Sequence, residues 1–150
     1  MGVICGGGVV RDYKALVILA YSAYFGFGHS LQGESLSTLT GLRLCNRMRR
    51  ISLGAVETDS STLYDSLLGS GNTPWSISYI VRSCRGNFHN HMKVLHTSRE
   101  GKTVADYLAS LATQNSGITC FSSSDSLPLK GKNLLRGDAL GIHYFRPHNF

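Results

Sequence analysis

His96-Thr97-Ser98-Arg99-Glu100-Gly101-Lys102-Thr103-Val104-Ala105-Asp106-Tyr107-Leu108-Ala109 is the stretch on which the reading of this chain turns. Upstream of it, Met92, Val94 and His96 alternate with Lys93, Leu95 and Thr97, the period of a strand. Downstream, Val104, Leu108, Leu111 and Ala112 recur as one apolar helix face. A histidine therefore leaves a strand end, and a polar loop leads into a helix with Asp106 in its first turn. There the helix dipole favours a carboxylate. Small Ala105 and Ala109 predict that this helix packs closely on its neighbour. Taken alone, Thr103-Val104-Ala105-Asp106 reads first as a capping box.

Working outward, Gly6-Gly7-Gly8 precedes the short apolar run Val9-Val10-Arg11. A dinucleotide-binding glycine loop would need a strand before it and a helix after it, and neither pattern is present. Asp12-Tyr13-Lys14 predicts a turn, and Leu16 to Phe25 a second strand ended by Gly26-Phe27-Gly28, so the two segments form a hairpin. Ser30 to Arg49 predicts a helix capped by Ser30, with Glu34 in its first turns and a basic end of Arg43, Arg47, Arg49 and Arg50. By itself Glu34 reads as an ordinary solvent-facing glutamate. Leu53 to Thr58 predicts a strand, after which Asp59 stands in a good position to cap the next helix. Thr73-Pro74 opens a further helix, with the proline at its first position and Ile77, Ile80, Val81 and Cys84 as its buried stripe. Trp75 and Tyr79 are expected in the core or a groove wall rather than as a base-stacking platform. His89-Asn90-His91 lacks partners at metal-ligand spacing.

In combination these segments resemble plant-type ribonuclease H domains, the group associated with retroelement-derived genes. The family's terminal motif is matched by His96, Arg99, Glu100, Ala105, Asp106, Leu108 and Ala109, with Lys102 where the family has asparagine. Gly-Gly-Val-Val-Arg-Asp matches its second strand. Gly33-Glu34 with Gly41-Leu42 matches its first helix, with Gly33 for the usual alanine, and Glu57-Thr58-Asp59-Ser60 matches its Glu-x-Asp-Ser motif. The resemblance covers roughly Gly6 to Ala112. It implies an α/β fold, a mixed sheet flanked by helices, lacking the family's first, central strand. Five strands would become four, and the sheet would have to close its gap or leave edges unpaired.

The resemblance also implies function: hydrolysis of the RNA strand of RNA–DNA hybrids by two divalent ions, magnesium or alternatively manganese, held by carboxylates. Of the family's four carboxylates the last three are matched by Glu34, Asp59 and Asp106, and His96 matches a mobile histidine beside the site. The first aspartate has no counterpart, because Asp12 lies in the turn at the far end of the matched strand. Weak or absent cleavage is therefore expected. Two other readings stay open: a non-catalytic remnant that binds a hybrid or double-stranded nucleic acid, and a protein-interaction module that pairs through an open sheet edge.

The totals fit this picture. The 150 residues are a single-domain length, read as residues 1–116 for the domain and 117–150 for its C-terminal extension. A net charge of +6 favours polyanionic partners. Cys5, Cys45, Cys84 and Cys120 are scattered, as in reduced thiols. No signal peptide is visible, and the longest apolar run, Leu16 to Phe25, is about half of the ~20 residues of a spanning helix. An intracellular protein, nuclear or cytoplasmic, is expected. Oligomeric state is left open by the sequence.

Overall fold

β1 (Gly2–Arg11) and β2 (Val17–Gly28) form a long antiparallel hairpin in the computed structural model. Its turn is held by Asp12, whose carboxylate accepts from the backbone N–H groups of Lys14 and Leu16, both at 2.9 Å. Such a short side chain bonding its own turn is a common reason for aspartate at this position. The structure describes residues 1–14, 16–48, 51–89, 91–97, 103–112, 117–138 and 145–147. Arg49 and Arg50, Asn90 and the segment from Ser98 to Lys102 lie outside the described residues. The Arg99, Glu100 and Lys102 positions of the motif are among them.

After the hairpin come α1 (Ser30–Arg47), β3 (Leu53–Thr58), α2 (Ser61–Leu68), α3 (Trp75–Gly86), β4 (Lys93–His96) and α4 (Thr103–Leu111). The chain continues through β5 (Ile118–Phe121), α5 (Leu129–Asp138) and β6 (Phe145–Pro147). β3 and β4 are parallel, with Thr58 opposite His96. The expected helix over 103–112 and its strand are therefore present, as is the buried stripe of α3. Val10, Leu19, Leu42, Val56, Ile77 and Cys84 belong to the core on the α1–α3 side, and Val9, Ala20, Val104, Leu108, Leu127 and Leu135 to that on the α4–α5 side. Helices thus cover both faces of a mixed sheet arrangement, the α/β architecture expected.

The structure corrects the expectation for the sheet itself. The described residues give two three-stranded sheets, in the orders β1-β2-β5 and β4-β3-β6, in place of four strands. β5, from the C-terminal extension, pairs antiparallel with β2. β6 pairs antiparallel with β3 and lies against β1 as well. The gap expected between the hairpin and β3 is thus flanked on one side by a short strand from the end of the chain. Unpaired backbone groups along β3 would be costly, and β6 relieves part of that cost.

A second correction concerns the glycines. Gly6, Gly7 and Gly8 lie within β1 and do not precede it. A Cβ on Gly7 would stand 2.8 Å from the Ala109 nitrogen and 2.9 Å from the Ala105 oxygen, both backbone atoms of α4. The small faces of Ala105 and Ala109 therefore meet a strand that has no side chain at the contact. On the other face, Gly8 and Gly41 both make room for Tyr21, whose hydroxyl donates to the Ser37 oxygen at 2.7 Å. Burial pushes the ionisation of this phenol well up from its usual range, so it stays a donor.

Gly7→Ala should lower stability by roughly 1–3 kcal/mol, since the clash is with backbone and no rotamer relieves it. Urea unfolding of the two proteins gives this difference directly. The buried thiols make a second prediction. Burial pushes Cys45 and Cys84 up from 9.0 to about 12, so the folded chain keeps protons that the unfolded chain releases. Their contribution to stability is full below about pH 9 and is lost as pH rises towards about 12. Urea midpoints should fall through this window. At neutral pH iodoacetamide should label exposed Cys120 and spare Cys45 and Cys84 until the chain unfolds.

Candidate functional site

Glu34 stands in the second turn of α1. The helix starts one residue earlier than expected: His29 is the N-cap, its backbone N–H donating to the Gln32 side chain at 2.9 Å, and Ser30 is the first helical residue. The hydroxyls of Ser35, Thr38 and Thr40 bond back to the carbonyl oxygens of Leu31, Glu34 and Leu36. Polar residues can therefore face the strands without leaving buried donors unsatisfied.

Asp59 follows the last residue of β3. The expectation that it caps α2 is overturned by its neighbour. Ser60 is the N-cap, and its hydroxyl accepts from the Leu63 N–H at 3.2 Å, while its own N–H donates to Thr58 Oγ1 at 3.1 Å. His96 ends β4 beside this point. Its Nε2 is 3.2 Å from the Asp59 carbonyl oxygen, and its ring meets that of Tyr64 edge-on, centroids 5.6 Å apart. The parallel register of β3 and β4 thus joins two residues that are distant in sequence. Asp106 is in the first turn of α4, exposed, while Val104 and Leu108 of the same helix are buried.

Two adjoining openings collect these side chains. One, about 270 Å³, lies along β1 between α1 and α4 and is lined by Ile4 to Val9, Glu34, Glu57, Ala105 and Asp106, among others. The other is more open and is lined by Ser30, Leu31, Glu34 and Asp59 to Thr62. Glu34 is common to both; Asp106 lies in the first and Asp59 in the second. Glu57 was not foreseen as a site residue. Its signal was available in the alternation of β3, because Val56 faces the α1–α3 core and its neighbour must face the other way.

Carboxylates are the hard oxygen donors that suit magnesium or manganese. Among the described residues, however, no three His, Cys, Asp or Glu side chains come close enough to hold one ion. As placed, the donors are of the right kind but do not form a metal-binding set. The His89 ring lies 2.7 Å from the Asn46 side-chain oxygen. Trp75 and Tyr79 overturn their expectation, for both are strongly exposed on α3 and line neither opening. No helix among the described residues is long and apolar enough to cross a membrane.

The fold defined by these elements is ribonuclease H-like. One similar solved structure is RNase H1 of the halophilic archaeon Halobacterium salinarum, at 18% identity and a TM-score of 0.64, covering 77% of this chain and 89% of that one. Another is the N-terminal RNase H domain of a Mycobacterium tuberculosis protein, solved as a fusion with maltose-binding protein, at 14% identity and a TM-score of 0.51, covering 75% of this chain and 98% of that one. No protein-family model and no curated protein matches the chain.

The capping assignment at β3 can be tested separately from chemistry. Ser60→Ala should cost about 1 kcal/mol by loss of the cap. Asp59→Asn should leave the unfolding midpoint nearly unchanged. Paired thermal melts of the two variants give the contrast.

Proposed function

We propose that the chain is a ribonuclease H-like domain of the plant, retroelement-derived type that binds RNA–DNA hybrid. The observation that carries this reading is that Glu34, Asp59 and Asp106 line two adjoining openings of a ribonuclease H-like fold, with His96 against the Asp59 backbone. Glu34, Asp59 and Asp106 are far apart in sequence, and Glu34 is common to both openings. The net charge of +6 supports a polyanionic partner, and exposed Arg43 and Arg47 end the helix that carries Glu34. Recognition would run through backbone shape and 2′-hydroxyls more than through base sequence.

Cleavage of the RNA strand with magnesium or manganese is the ancestral activity on this reading, and we propose that it is weak or absent here. Three of the four family carboxylates are matched in the sequence, and no three carboxylates share a metal-binding position among the described residues. Misplacement of a reacting group by about 1 Å can cost on the order of a hundredfold in rate. The non-catalytic binding reading is therefore preferred to full activity. An intracellular setting is part of the same proposal.

The test is hybrid binding by fluorescence anisotropy over a salt series, beside a cleavage assay with magnesium. Affinity should fall about 10- to 100-fold between roughly 50 and 200 mM salt, the loss expected for a few phosphate contacts. Cleavage should be no more than trace. Absent or salt-independent binding would overturn the nucleic-acid reading. Strong magnesium-dependent cleavage, abolished by Asp59→Asn, would overturn the inactive one.

A further inference from the structure

α3 buries one face and displays another of unusual composition. Ile77, Ile80, Val81 and Cys84 are buried, Ile77 and Cys84 completely. Trp75, Tyr79 and Arg82 stand opposite them, and Trp75 is 90% and Tyr79 73% exposed, with Arg82 exposed as well. At about 100° per residue, positions i, i+4 and i+7 fall within an arc of roughly 60°, centred opposite the buried stripe. The two aromatic positions are separated by about 6 Å of helix rise, and the arginine follows about 4–5 Å further on.

A single exposed aromatic residue is ordinary. Two of them on one stripe with an arginine, on a helix whose other face is closed, form a defined surface. The helix is also firmly seated. The Arg85 guanidinium donates to the carbonyl oxygens of Leu67 and Ser66, and Asn87 at its C-terminal end accepts from Asn46 at 2.9 Å. α3 contains two arginines and no carboxylate, on a chain of net charge +6. Neither Trp75, Tyr79 nor Arg82 lines the openings around Glu34.

We propose that the Trp75–Tyr79–Arg82 face of α3 binds single-stranded nucleic acid, the two rings each stacking on a base and the guanidinium holding backbone phosphate. Flat aromatic faces recognise bases irrespective of sequence, and a neighbouring cation tracks the backbone. Unpaired bases are required, because in a duplex their faces are hidden by their neighbours. The positive charge of the helix, undiluted by any carboxylate of its own, favours a nucleic acid over an acid-free protein surface. The site goes beyond the hybrid reading and stands or falls independently of it.

Trp75 is the one tryptophan of the chain, so intrinsic tryptophan fluorescence reports from this face alone. Titration with oligo-deoxythymidine and oligo-uridine should quench it saturably, and added salt should reverse the quenching. Tyr79→Ala and Arg82→Ala should each weaken binding on the order of tenfold. Tyr79→Phe should retain it, and circular dichroism melts should be unchanged because the altered side chains are exposed. Trp75→Ala, followed with a labelled oligonucleotide, should weaken binding similarly. Absence of quenching, or quenching indifferent to Tyr79→Ala and Arg82→Ala, would overturn the proposal. So would a fluorescence change that tracks protein concentration without oligonucleotide, with dimers in sedimentation, since the face would then serve self-association. Hybrid binding with no Trp75 response to either single strand would overturn this site and leave the hybrid reading intact, whereas single-strand quenching without hybrid affinity would do the reverse.

Discussion

The close approach of two helices to one short run of β1 sets the geometry of this protein. Successive strand residues face opposite ways, so Gly6 and Gly8 turn to the α1 side and Gly7 to the α4 side. Without side chains on either face, the strand lets α4 rest on it by its backbone, through Ala105 and Ala109, and lets α1 and Tyr21 close on the other side. Hydrogen bonds fix both approaches. Ser37 Oγ donates to the Gly7 oxygen at 3.0 Å, and Ser22 Oγ donates to the Leu108 oxygen at 2.6 Å. Each is made in a poorly hydrated setting, where leaving one partner unmade would be costly.

That approach also places the carboxylates. Glu34 on α1 and Asp106 on α4 come from helices packed on different sides of the hairpin, yet both line the cavity beside β1 because the strand between them is thin. Glu57 reaches the same cavity from β3. Glu34, Glu57 and Asp106 thus bring three acidic residues around one cavity on a chain whose net charge is +6. Asp59 lines the neighbouring opening, and the parallel pairing of β3 with β4 brings His96 against its backbone. A backbone contact holds the histidine against the aspartate residue's carbonyl, so the carboxylate itself is not used for that link.

At the end of β3, capping a helix and lining an opening fall to two adjacent residues. Serine and aspartate are both good helix caps, and they stand side by side. Ser60 takes the cap, and Asp59 is left to line the opening with Glu34. The C-terminal extension acts in a comparable way on the sheets. β5 widens the hairpin sheet, α5 packs beside α4, and β6 covers a side of β3 that would otherwise expose its backbone groups.

Much of this was legible in the sequence, because periodicity is a local property. The alternation at Met92 to His96, the apolar face of Val104, Leu108 and Ala112, and the stripe Ile77, Ile80, Val81 and Cys84 each predict the element and the face that the structure displays. The family resemblance carried by the motifs likewise pointed to the ribonuclease H-like fold, and it named Glu34, Asp59, His96 and Asp106 as candidates. Other outcomes depended on partners remote in the chain. The glycines read as a lead-in to a strand because their value lies in contacts with α1 and α4, which no local pattern contains. Trp75 and Tyr79 read as core or groove wall because large aromatic side chains usually gain most from burial, and only the seating of α3 on its other face turned them outward. The choice between Asp59 and Ser60 as cap, and the arrival of β6 beside β3, were likewise decided by tertiary structure. Each balances one small local preference against contacts made elsewhere in the fold, and the contacts supply the larger free energy.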